Sequence, residues 1–90
     1  MKKHFSIGIT GRVQGVFFRA SAKERAEAFS ITGLVRNEPD GGVYLEAEGE
    51  EENLKKFIEW YHRGPSGARV ETFDLREGMV KNYSRFLIER

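Results

Sequence analysis

Gly11-Arg12-Val13-Gln14-Gly15-Val16-Phe17-Phe18-Arg19 joins two segments of different periodicity. Before it, Phe5, Ile7 and Ile9 alternate with Ser6, Gly8 and Thr10, the period of a strand. After it, Ala20 to Phe29 sets Ala22, Ala26 and Phe29 on one helical face. The stretch therefore reads as strand, glycine-punctuated turn, helix. At a helix start the first N–H groups lack carbonyl partners and carry partial positive charge, so an anion fits there. Gly15 supplies the positive φ that lets successive amides curl into a nest, and Arg19 adds a planar fork matched to two phosphate oxygens. An ordinary tight turn with a solvated arginine fits the same residues, and both readings stand at this point.

The rest of the chain supplies a sheet around this turn. Ser30-Ile31-Thr32-Gly33 ends the helical pattern, and Leu34-Val35-Arg36-Asn37 reads as a second strand. Glu38-Pro39-Asp40-Gly41-Gly42 is a hairpin loop, because proline keeps Glu38 extended and Asp-Gly is strong turn chemistry. Val43, Leu45 and Ala47 alternate with Tyr44, Glu46 and Glu48, predicting a third strand with one apolar and one wet face, broken by Gly49. Leu54, Phe57, Ile58 and Tyr61 follow the i, i+3, i+4, i+7 spacing of a buried helical stripe, with Glu50, Glu51 and Glu52 at its N-terminus and Gly64-Pro65 at its end. Trp60 and His62 lie off that stripe and read as surface or edge residues. A fourth strand spans Ala68 to Glu77. Its Val70 and Phe73 have opposite parity, which calls for a bulge or a half-exposed side chain. Residues 78–84 form a loop, and Phe86 and Ile88 mark a short last strand. The order predicts one domain over residues 1–90: a split βαβ sandwich, with two helices on one face of a mainly antiparallel sheet of four to five strands.

Composition narrows the function classes. The chain has 90 residues and no cysteine, which excludes a disulfide framework or a cysteine metal site. A core this small leaves any active site in a surface loop or shallow cleft. No run is long and apolar enough for a membrane span, and the start lacks a signal-peptide pattern, so a cytoplasmic protein is expected. Residues 1–37 carry seven Lys and Arg against two Glu, whereas residues 38–59 carry two Lys against eight acids. The positive excess thus lies in the segment of the turn, where it favours the approach of a small anion. Asn37, at the end of a central strand, is expected by topology to face the Gln14–Arg19 loop. Its amide can hold a water and aim it, or merely initiate the hairpin turn.

The residues from Gly11 to Arg19, then Gly33-Leu34-Val35-Arg36-Asn37 with Asp40-Gly41, Gly64-Pro65 and Phe86-Leu87-Ile88, resemble the acylphosphatase family over nearly the whole chain. The resemblance implies a ferredoxin-like α+β sandwich that hydrolyses the carboxyl-phosphate bond of acyl phosphates to carboxylate and inorganic phosphate, without metal or cofactor. It implies Arg19 as the phosphate-binding arginine and Asn37 as the water-orienting asparagine. The phosphate-binding loop falls on Gln14, Gly15, Val16, Phe17, Phe18 and Arg19. The implied partners are a small acyl phosphate as substrate and inorganic phosphate as product and inhibitor. Leu34 stands where many relatives have tryptophan, a change expected to affect packing.

Other residues are expected to be structural. His4 and His62 are isolated, with no second metal ligand at useful spacing. Phe17 and Phe18 read as core or loop-support residues, since alternating sheet aromatics of the RNA-binding type are absent and no nucleic acid is expected. The acids Glu46, Glu48, Glu50, Glu51 and Glu52 read as a solvated face. No apolar stripe is left over on the surface, so a monomer without membrane contact is expected.

Overall fold

The structure is a computed structural model that describes residues 1–89. Its elements are β1 (Lys2–Arg12), α1 (Phe18–Ala28), β2 (Thr32–Asn37), β3 (Val43–Glu50), α2 (Glu51–Arg63), β4 (Arg69–Gly78) and β5 (Phe86–Ile88). The strands form one sheet in the order β4-β1-β3-β2-β5. Every pairing is antiparallel except that of β2 with β5, which is parallel. The split βαβ sandwich is thus observed, with β5 extending it as an edge strand.

Register decides which side chains face the helices. Phe5, Ile7 and Ile9 pair with Ala47, Leu45 and Val43. Paired residues share a side, so these positions, with Val35 opposite Leu45, form the apolar face. The helices lie on it: Phe18, Ala22 and Ala26 from α1, and Leu54, Phe57 and Tyr61 from α2, are at most 2% exposed and belong to the same core as Ile7 and Leu45. Alanines at Ala22 and Ala26 allow α1 close to the sheet. Trp60, expected at the surface, is instead buried, its ring 6.3 Å from Phe18 and 6.2 Å from Phe57. Because α1 packs beside α2 as well as above the sheet, the buried face of α2 is wider than one stripe. His62 is exposed, as expected, with its ring 4.6 Å from that of Phe73.

The parity conflict in the fourth strand is resolved by a bulge. Thr10 pairs with Thr72 but Gly11 pairs with Val70, leaving Glu71 as the extra residue. Gly11 makes this possible: at φ 124° a side chain is disfavoured, and a Cβ there would lie 2.2 Å from the Arg69 carbonyl oxygen.

The outer face of the sheet differs from expectation. Glu46 and Glu48 are buried, at 7% and 0% exposure, not solvated, and His4 is buried between them, not isolated. Residues 79–85 cross this face as a strap. Glu48 accepts hydrogen bonds from the backbone N–H groups of Lys81 and Tyr83 and lies 2.8 Å from His4 Nδ1. Glu46 accepts from the hydroxyls of Tyr44 at 2.8 Å and Tyr83 at 2.7 Å, and from Lys81 Nζ at 3.0 Å, while His4 Nε2 lies 3.3 Å away. Burial acts to raise the Glu46 carboxyl. The hydrogen bonds from Tyr83, Tyr44 and Lys81, with the Lys81 charge, outweigh it and hold the group down at about 2. Burial also acts to raise Glu48, and the two strap N–H groups and His4 bring it below its ordinary value.

A carboxylate whose folded value is depressed stabilises the fold above its unfolded value, and that contribution is lost as pH falls through the folded value. Thermal unfolding is therefore expected to shift downward between roughly pH 5 and pH 2, and Glu46→Gln to flatten that dependence. Parallel pH profiles for the two proteins would show that the strap carboxylate does not carry the effect.

Candidate active site

The turn between β1 and α1 is built on two left-handed residues, Gly15 at φ 75° and Phe17 at φ 58°. Phe17 is the N-cap of α1, so the helix begins at Phe18, ahead of the alanine-rich run, and Arg19 sits in its first turn. That turn carries no acidic side chain and no side-chain cap. Among the described residues, no oxygen accepts a hydrogen bond from the N–H groups of Gly15 to Arg19. Unpartnered donors at the positive end of a helix, curled by left-handed residues, are an anion-binding geometry.

Asn37 reaches this turn through register. It shares the helix side of β2 with Val35, being paired with Val43, but lies one strand repeat beyond the packed core. The hairpin that follows is held in place by Gln14, whose Nε2 donates to the carbonyls of Glu38 at 3.0 Å and Gly42 at 2.8 Å. The Gln14 side chain thus clamps the turn to the loop beside Asn37. Arg19 is oriented from the other side, its Nη1 donating to the carbonyl of Glu89 at 3.3 Å. Among the described residues, no carboxylate pairs with Arg19, and its side chain lines the cleft.

Gln14, Gly15, Arg19 and Asn37 line one open cleft of about 640 Å³, and Val13, Phe17, Ala20 and Ile88 supply its apolar lining. The predicted pair Arg19 and Asn37 is brought together there. Within the predicted loop the residues separate. Phe18 is buried at 2% exposure and anchors the helix, while Phe17, expected in the core or supporting the loop, is 84% exposed. Val16 is partly buried and packs against the core. Ile88 was legible only as a strand residue. Its pairing with Val35 puts it on the helix side of β5, a placement that strand parity supplies once β5 is paired with β2. No group of three or more His, Cys, Asp or Glu among the described residues is arranged to hold a metal ion. No helix of the described residues is long and apolar enough to cross a membrane.

A split βαβ fold with an anion-binding turn at a helix start, faced by an arginine and an asparagine, defines a class of small phosphate-handling proteins. The family model for acylphosphatase matches residues 5–88. An acylphosphatase of Salinibacter ruber is 54% identical over 74 residues, covering 82% of this chain and 78% of the relative. One of Methylococcus capsulatus is 44% identical over 89 residues, covering 98% and 97%. The crystal structure of acylphosphatase from Bacillus subtilis, 33% identical, superposes with a TM-score of 0.94 over 100% of both chains. The chain belongs to the acylphosphatase family, and its function is accordingly that of a hydrolase.

Gly11 at the bulge and Gly15 in the turn differ in what a methyl group would meet. At Gly15 a Cβ has nothing within 4 Å, so Gly15→Ala opposes only the dihedral and is expected to cost about 1 kcal/mol. At Gly11 the Cβ would collide with backbone, so Gly11→Ala is expected to cost at least ~2 kcal/mol. Urea unfolding checks the ranking, and equal losses would contradict it.

Proposed function

We propose that the protein hydrolyses acyl phosphates by direct attack of water on phosphorus, with Arg19 and Asn37 as its catalytic side chains. The observation that carries the reading is the convergence of three donor sets on one cleft: the N–H groups of the Gly15–Arg19 turn, the Arg19 guanidinium and the Asn37 amide. The N–H groups and Arg19 hold the phosphoryl oxygens. Asn37, which both donates and accepts, orients the water. As the water oxygen bonds to phosphorus, the bond from phosphorus to the acyl oxygen breaks and its electron pair leaves with the carboxylate. The water's proton passes to a phosphoryl oxygen, so the products are carboxylate and dihydrogen phosphate.

This chemistry asks little of acid–base groups. The leaving carboxylic acid has a pKa of about 4, so the leaving group departs without a proton. In a loose phosphoryl-transfer transition state the protein contributes positioning and charge stabilisation, which is what backbone amides and a guanidinium supply. Gln14 serves as a positioning residue, tying the loop beside Asn37 to the cradle. The reading takes the enzyme as monomeric, independent of metal and cofactor, and inhibited by its product phosphate. A cytoplasmic location accords with a chain that has no cysteine.

Phosphate release from benzoyl phosphate, measured with chelator present, tests the reading. Arg19→Ala is expected to lower turnover by about 10³-fold while leaving the fold intact. Asn37→Ala is expected to lower kcat more than affinity for inorganic phosphate. Near wild-type turnover in folded Arg19→Ala would remove the assignment, and equal loss of kcat and phosphate affinity in Asn37→Ala would make that residue structural.

A further inference from the structure

Phe17 is held in an unusual state. It is 84% exposed and sits at φ 58°, ψ 28°, a backbone region that bulky side chains adopt rarely and with strain. Packing does not account for it, since the neighbouring Phe18 provides the buried ring that fixes α1 against Tyr61, 5.3 Å away and edge-on. Helix capping does not account for it either, because a phenylalanine side chain cannot accept a hydrogen bond from the first turn. What the left-handed backbone does is turn a large apolar ring outward at the edge of the cleft, where Ile88, 36% exposed, faces the same space.

The cleft is thereby divided. Its donors, Arg19 and Asn37 are matched to a phosphoryl group, and the accessible remainder is apolar. An acyl phosphate has the same division, since the acyl group is bonded to the phosphoryl group that the donors hold. We infer that Phe17 and Ile88 form an acyl subsite, an open apolar lip that favours acyl phosphates bearing aryl or other extended apolar groups over acetyl phosphate. A flat ring can stack on Phe17, the geometry aromatic pairs prefer. Because the lip is open, it binds larger apolar groups better but does not exclude small ones. Its contacts are made equally in ground and transition states, so selectivity lies in KM. The inference rests on the hydrolase reading above.

The test compares kcat/KM for benzoyl phosphate and acetyl phosphate in wild type, Phe17→Ala, Phe17→Tyr and Ile88→Ala, with inorganic phosphate as competitive inhibitor. The benzoyl-to-acetyl ratio is expected to fall, through KM, by about ten-fold in Phe17→Ala, the low end of what apolar contacts discriminate, and by less in Ile88→Ala. Phe17→Tyr, which keeps the ring, is expected to keep the ratio. An unchanged ratio in Phe17→Ala overturns the inference. So does an equal loss on both substrates with weaker inhibition by phosphate, which would assign Phe17 to the shape of the cradle. Wild type inert toward both substrates would remove the hydrolase reading and the subsite with it, whereas active wild type with unaltered ratios removes the subsite alone.

Discussion

The buried carboxylate of Glu48 fixes the far end of the chain. It stands on β3, in the middle of the sheet, and accepts from the backbone N–H groups of Lys81 and Tyr83 and faces His4. An ionised carboxylate out of water is stable only with several donors, so these contacts come together or not at all. Once the strap is docked, the chain emerges beside β2. Gly33 N–H then donates to the Arg85 carbonyl and Glu89 N–H to the Val35 carbonyl, which seats β5. The Glu89 carbonyl is in turn what Arg19 holds. A carboxylate on one face of the sheet thereby sets the position of a guanidinium on the other.

The elements that could be read along the chain are those whose cause is local. Periodicity located the strands and α2, Asp-Gly located the hairpin, and the parity of Val70 and Phe73 announced the bulge that Gly11 accommodates. Strand topology likewise carried Asn37 to the turn that holds Arg19. The failures have non-local causes. Glu46 and Glu48 alternate with apolar residues as solvated acids do. Their burial depends on donors 33 to 37 residues further along, in a strap with no regular structure of its own. Trp60 is off the stripe of α2, and only the approach of α1 makes its side an interior one.

Phe17 and Phe18 show the limit most sharply. They are identical and adjacent, and composition or propensity cannot say which enters the core. The choice is made by the dihedral of one residue: with Phe17 left-handed, the helix starts at Phe18 and carries that ring inward, leaving Phe17 outside. The same dihedral curls the amides that precede the helix. Curvature of the cradle, the start of the helix and exposure of the ring are therefore one event and not three.

That coupling gives a small cleft two ends of different character. Its polar end consists largely of backbone N–H groups, which hold their geometry as long as the turn is folded and do not depend on side-chain identity. Arg19 and Asn37 lie beside them, Arg19 held from outside the turn by the Glu89 carbonyl and Asn37 on a strand end whose hairpin the turn itself grips through Gln14. The position of Phe17 carries the opposite logic. Its backbone is constrained by the turn, but its side chain touches little of the protein, so the residue there can change the apolar surface at the edge of the cleft without altering the N–H groups beside it.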